Sequence, residues 1–335
     1  MSELTRRRLI AGGLPLLGAG ALLHAGAAGG HSAGMHNHAG HDGGHANFAR
    51  GVAVDHAGNG FDPHEIVRDF DWGTTTQVGG RVVRTWELTA LDKEIELMPG
   101  VKFTAWTYNG RIPGPTLRAR EGERLQIRFN NGSQHPHTIH FHGIHPAEMD
   151  GVPGLGAGQI EPGGSTVYEF DALPAGLHLY HCHVRPLAEH IAKGLYGAFI
   201  IDPAEPREEA DELVMVMNGF DTNFDRANEV YAANTIGFAY MDRPITVRLG
   251  DLVRIYLVNV LEYDLINSFH LHGNLFEYFP TGTSKTPSEL TDTVMLCQGQ
   301  RGILEWRFAH PGKYMFHAHQ SEFTELGWQG FFEVA

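Results

Sequence analysis

The sequence predicts an all-β protein made of two consecutive sandwich domains. Three observations carry this. From about Asp71 the chain runs in short β-branched and aromatic stretches broken by Gly and Pro. No amphipathic stretch of helical period lasts beyond about three turns. The pattern is also written twice, at matched positions in each half. Composition agrees: of 335 residues, 42% are hydrophobic, enough for a real core, while only 19% are charged and 42 are glycine. The net charge of −14 argues against a nucleic-acid partner, because phosphate binding needs a basic face. Two cysteines allow at most one disulfide, whereas 22 histidines point to metal.

The first segment reads as an address. Arg6, Arg7 and Arg8 precede an uncharged apolar run from Leu9 to Leu23, and Ala25-Gly26-Ala27 offers small residues to a peptidase. A signal peptide is expected over 1–27. Its arginines resemble a twin-arginine signal, which implies a periplasmic or secreted protein. The apolar run is shorter than the ~20 residues a membrane span needs. Residues 28–70 are expected to be a flexible linker. Its first part is rich in Gly, Ala and His, with His31, His36, His38, His41, His45 and His56. Two readings stay open, a loose copper-collecting tail and a plain tether. Copper loading after deletion of 28–60, measured in limiting copper, separates them.

The β-rich part begins with expected strands over 81–91, 102–108, 124–130, 167–170 and 197–201. Glu121–Asn130 matches Leu249–Asn259. His140-Phe-His142-Gly143 matches His270-Leu-His272-Gly273, and the segment ending His181-Cys182-His183 matches the one ending His317-Ala318-His319. A Gly-flanked turn and apolar strand close each unit. The boundary falls near the prolines at 203 and 206, giving domains 71–203 and 204–335.

His-x-His on a strand presents two imidazoles on one face, since residues i and i+2 point the same way. Four such pairs stand at repeat-equivalent positions: His140/His142, His181/His183, His270/His272 and His317/His319. Cys182 points to the opposite face from its two flanking histidines. His137 and His190 stand at spacings suited to join it in a trigonal thiolate–diimidazole site for copper. Cys297 has no evident partner and is expected to be a buried free thiol.

These motifs, with Tyr108-Asn-Gly-Arg-Ile-Pro-Gly-Pro115, Met149-Asp150-Gly-Val-Pro-Gly154 and Asp292-Thr-Val294, resemble those of the multicopper oxidases, the laccase and blue-copper-oxidase family. Most laccases have three domains. This chain is similar to the two-domain branch with type 1 copper in the first domain. The resemblance implies two cupredoxin-like Greek-key sandwiches and a homotrimeric ring. It implies four coppers per chain. The type 1 copper takes His137, Cys182 and His190, with Leu195 at the axial position as a non-ligand. The type 2 copper takes His140 and His270. The type 3 pair takes His142, His181, His183, His272, His317 and His319. Asn267, Ala318 and Phe323 replace the type 1 ligands in the second repeat, which is therefore expected to hold no type 1 copper. Dioxygen is the implied acceptor and a phenol, aromatic amine or metal ion the donor. Asp150 matches the family's acid near the type 2 copper, and Glu322 is a candidate acid for the type 3 side. His145 fits no ligand slot. A copper nitrite reductase is the nearest rival, but in that family an aspartate stands at the place of His140 and Ala follows the cysteine. A non-enzymatic copper or electron carrier would leave the four histidine pairs without a purpose.

Overall fold

The computed structural model describes residues 53–335. The signal peptide expected over 1–27, and the linker residues before 53, lie outside the described residues. Strands dominate, and the longest described helix, Leu187–Ala192, has 6 residues. Among the described residues no helix is long and apolar enough to cross a membrane.

The repeat seen in sequence is a repeat of strand pairing. In the first half, Arg124–Asn131 pairs parallel with Arg81–Met98 and antiparallel with Ser165–Asp171. In the second, Leu252–Asn259 pairs parallel with Asp211–Phe220 and antiparallel with Arg301–Arg307. The opposing sheets match too. Tyr196–Asp202 lies between Thr116–Arg120, parallel, and Gly176–His181, antiparallel. Gln329–Val334 lies between Ile245–Val247, parallel, and Gly312–His317, antiparallel. Each half is thus a two-sheet sandwich with its own core.

A third apolar cluster welds the two. Leu213, Met215 and Met217 enter the second core, while the alternate residues Val214 and Val216 face the first domain. Opposite them, Ala198 and Ile200 face the second domain while Phe199 and Ile201 fill the first core. Both strands are buried on both faces. This explains why they read as continuous apolar runs and not as alternating ones.

The chain is ordered earlier than the expected linker boundary at 70. Asp62 caps the turn Pro63–Ile66, with Pro63 in the first helical turn. Phe61 and Ile66 then enter the interdomain cluster, and Val67 enters the second core. The Gly/Ala/His composition dominates the upstream part of the segment but not these three apolar side chains. Cys297 also differs from expectation: it is exposed. Thr293–Cys297 alternates, with Val294 and Leu296 inward and Met295 and Cys297 outward.

A charge cluster spans the domain junction. Arg118 pairs with Asp202 at 2.9 Å and with Glu212 at 2.5 Å, and Arg254 joins Glu212 to Glu305. Burial pushes the Glu212 carboxyl up, but Arg118, the Tyr256 hydroxyl and Arg254 together hold it below the usual carboxylate range. A carboxyl depressed in the folded state adds stability above its unfolded value, and that stability is lost as pH falls through the folded value. Arg118→Ala, which strands the Asp202 carboxylate and leaves Glu212 to Arg254 and Tyr256, is expected to lower unfolding stability by about 3–5 kcal/mol in denaturant titrations at neutral pH. Stability should decline below about pH 4.5, the unfolded glutamate range, and Glu212→Gln should flatten that decline.

Candidate metal centre

Two constellations form, and strand register builds both. His140 stands opposite His181 on neighbouring antiparallel strands, and His270 stands opposite His317 in the second domain. The paired rings lie 5.3 Å apart in the first case and 5.2 Å in the second. Both strands end near these positions, so His142, His183, His272 and His319 sit just beyond, at the start of the loops. The second ring of each motif still returns to the first: His140–His142 is 4.9 Å and His270–His272 5.0 Å. Each half therefore presents a quartet of imidazoles at one end of its sandwich. Among the described residues no ring pair joins the two quartets.

The hydrogen bonds dictate which nitrogen is available. A carbonyl only accepts, so an imidazole nitrogen facing one must carry the proton. Nδ1 of His140 donates to the Asp150 carbonyl at 2.8 Å, and Nδ1 of His181 to the Cys182 carbonyl at 2.8 Å. Nδ1 of His270 donates to the Asp292 carbonyl at 2.9 Å, and Nδ1 of His317 to the Ala318 carbonyl at 2.5 Å. All four rings are left with a bare Nε2. Within each quartet these converge: His142 Nε2 and His181 Nε2 lie 2.9 Å apart, as do His272 Nε2 and His317 Nε2. A hydroxyl straps the remaining histidine in each half. Thr138 Oγ1 accepts the His183 backbone N–H at 3.0 Å, and Ser268 Oγ accepts that of His319 at 2.7 Å.

The cysteine site uses the opposite tautomer. Ser133 Oγ donates to Asp92 Oδ1 at 2.6 Å, so toward His137 Nε2, 2.9 Å away, it accepts. His137 is thereby left with a bare Nδ1. That atom lies 3.2 Å from His190 Nδ1 and 3.8 Å from Cys182 Sγ, which is itself 3.2 Å from His190 Nδ1. All three residues are buried. Leu195 is fully buried, and its carbonyl accepts the Cys182 N–H at 2.9 Å. The Trp106 ring lies 4.7 Å from that of His190 and 5.2 Å from that of His137.

Electrostatics favour a soft cation in this site. Burial, with His190 alongside, carries His137 down to about 3, and burial carries His190 to about 4. Burial pushes the Cys182 thiol up to about 11. The imidazoles are therefore neutral donors, and a thiolate is held here only by a positive charge placed against it. Burial likewise lowers His142 to about 3, helped by His181, His140 and Arg301, and lowers His181 to about 4. The donor set thus fits copper: one thiolate with two Nδ1 nitrogens in one place, Nε2 quartets in two others.

The second domain keeps the scaffold of the cysteine site and fills its interior. The Ala318 N–H donates to the Trp328 carbonyl at 3.2 Å, as Cys182 does to Leu195. Asn267, Ala318, Phe323 and Trp328 are all buried there, and Phe323 stacks on Tyr231 at 4.0 Å.

Asp150 is held against the first quartet. Its Oδ1 lies 2.9 Å from His140 Nδ1 and 3.6 Å from His145 Nε2. A Cβ on the next residue, Gly151 (φ +70°), would fall 1.9 Å from the Ile139 carbonyl oxygen, so only glycine lets this turn close. His145, which fits no ligand slot in the sequence, is thus part of the group around Asp150. Glu322 lies exposed on the helix Ser321–Glu325, and among the described residues its side chain bonds to no histidine. Asp92 and Ser133, which set the His137 tautomer, carry no sequence signal beyond polarity.

Comparison with known proteins agrees with this construction. Residues 90–206 and 208–335 match two sequence profiles, both described as multicopper oxidase. A crystal structure of a multicopper oxidase superposes with a TM-score of 0.83 at 61% identity, covering 84% of this chain and 100% of the other. Blue copper oxidase from Nitrosomonas europaea superposes with a TM-score of 0.69 at 28% identity, over 75% of this chain and 86% of its own. The copper-containing nitrite reductase of Neisseria meningitidis serogroup A is 28% identical over 70% of this chain, which spans 64% of that enzyme's length.

Because aromatic side chains occupy the second domain's interior, Ala318→Cys is expected to add no second blue absorption band. Optical spectra and copper counts of the loaded variant check this. From strand pairing, donor set and profile matches alike, the chain is a two-domain, cupredoxin-like member of the multicopper oxidase family.

Proposed function

We propose that the chain is a laccase-like oxidase. It takes single electrons from a small reducing donor (a phenol, an aromatic amine or a metal ion) and passes four of them, with four protons, to dioxygen, yielding two waters. The observation that carries this reading is the complete set of eight imidazoles in two equivalent quartets, beside one buried thiolate site. Copper bound at these residues supplies the one-electron and oxygen-reducing chemistry.

His137, Cys182 and His190 would hold the type 1 ion, with Leu195 closing the axial side without donating. His140 and His270 would hold the type 2 ion. His142, His181, His183, His272, His317 and His319 would hold the type 3 pair, giving four coppers per chain. Each quartet is half of a three-metal cage, and His272 and His319 are exposed in the single chain. Neighbouring copies would complete the cages, as a trimeric ring with a heterologous interface does. Export across the inner membrane through the twin-arginine-type signal belongs to the same reading.

The chain's own residues supply the connection and the protons. Cys182 is covalently flanked by His181 and His183. The His181 Nδ1–H bond to the Cys182 carbonyl adds a second route of 2.8 Å between the sites. Trp106, itself buried, packs against the His137 and His190 rings and shields that edge of the cysteine site. Asp150, with Oδ1 beside His140, is placed to accept a proton and pass it inward. Glu322, exposed and three residues past His319, remains the candidate acid for the second quartet.

Nitrite reduction is the second reading, since relatives with that activity match at 28% identity. The placement of His183, with its ring 5.2 Å from that of His140, favours the oxidase. Four coppers per chain and oxygen uptake with a phenol, without nitrite consumption, are the expected results. Two coppers per chain would support the reductase. Cys182→Ser should remove the blue band and donor oxidation together. Asp150→Asn should keep the blue band and full copper while lowering turnover about 10²-fold. Stopped-flow reduction of the blue band separates these two effects.

A further inference from the structure

We propose that Lys193, covered by Phe224 of the second domain, raises the reduction potential of the ion in the cysteine site by acting across Trp106. This rests on reading that site as the type 1 copper centre.

The helix Leu187–Ala192 carries His190, and Lys193 caps its C-terminal end. The Lys193 carbonyl accepts the Trp106 N–H at 2.9 Å, which ties the lysine to the indole that packs on the ligands. Lys193 Nζ stands over the Trp106 ring at 5.1 Å, and the His190 ring lies 4.7 Å from that same ring. The ammonium is therefore at most about 10 Å from the ligand ring, near enough for a unit charge to act. Phe224 covers it at 4.6 Å and Phe103 at 6.0 Å, so that Lys193 is only 9% exposed. Its ammonium donates to the Thr104 carbonyl at 3.3 Å and pairs with no carboxylate among the described residues. Burial draws its pKa below the ordinary lysine value, and the charges of Glu189, Asp92 and Asp221 oppose that fall.

The cover is a strained one. Phe224 is a bulky residue at φ +64°, in the left-handed region, and is 60% exposed. Its loop is pinned: Asp221 accepts the N–H groups of Asp225 at 3.1 Å and Arg226 at 2.8 Å, and Glu229 accepts that of Thr222 at 2.7 Å. What the exposed ring gains there is a cation contact with Lys193.

The second domain supplies an internal control. Its Tyr231 N–H donates to the Leu326 carbonyl at 3.1 Å, and Tyr231 stacks on Phe323. These repeat the bond of Trp106 to Lys193 and the contact of Trp106 with His190. Leucine thus stands at the lysine position in the repeat that lacks the thiolate site. Loss of an electron adds one positive charge to the ion in that site. A fixed, water-shielded cation nearby opposes this and favours the reduced form.

The test uses the full, copper-loaded chain without oxygen, equilibrated with a one-electron mediator while the blue band is read. Lys193→Met should move the equilibrium constant about three- to tenfold toward the oxidised protein. Lys193→Arg, which keeps the charge, should stay within about twofold of wild type. Phe224→Ala, which admits water and salt to the ammonium, should move it the same way by a smaller factor. Copper content should be unchanged in all three. A wild-type equilibrium in Lys193→Met overturns the inference. So do equal shifts in the Met and Arg variants, which would assign the effect to packing. If Lys193→Met loses its blue band, Phe224→Ala decides, and an unshifted equilibrium there overturns the inference. A wild-type chain with no blue band is a separate result, visible without any variant, and removes the type 1 reading itself.

Discussion

The register that sets His140 opposite His181, repeated as His270 opposite His317, is the constraint on which the rest of the molecule depends. Side chains alternate along a strand, so a slip of one residue would turn both quartets into the cores and bring Phe141 and Cys182 outward. The register is secured from behind. Phe141 and Tyr180 enter the first core, and Phe316 and Leu271 enter the second. Hydrophobic burial on one face thus positions nitrogen donors on the other. The fold's largest stabilising term also builds the site.

The second level of control is the proton. Ring nitrogens that face backbone carbonyls are committed as donors, which fixes the opposite nitrogen as a lone pair. In the quartets this exposes Nε2. At His137 the Asp92–Ser133 relay exposes Nδ1 instead. Burial then keeps the rings neutral. A cation entering either place meets donors that are already oriented, so little reorganisation is required of the protein.

Duplication explains the asymmetry between the halves. The Ala318–Trp328 backbone bond and the Ser268–His319 strap mirror Cys182–Leu195 and Thr138–His183. What differs is the filling. Once Phe323 and Trp328 occupy the second interior, that position contributes apolar packing where the first domain places Cys182, His137 and His190.

Local order in the sequence determined the two sandwiches, the histidine pairs and the cysteine between them, because periodicity and short spacings are properties of consecutive residues. It also suggested a linker to residue 70 and a buried Cys297. Both differ in the fold, since Phe61, Ile66 and Val67 find partners far along the chain and Cys297 falls on the outward phase of its strand. Only the tertiary structure decided the tautomers, the contact of His145 with Asp150 and the placing of Phe224 over Lys193 across the domain junction. Each of these joins groups that are distant in sequence or depends on how a side chain is turned. No spacing rule encodes such contacts, because packing of the assembled sheets creates them.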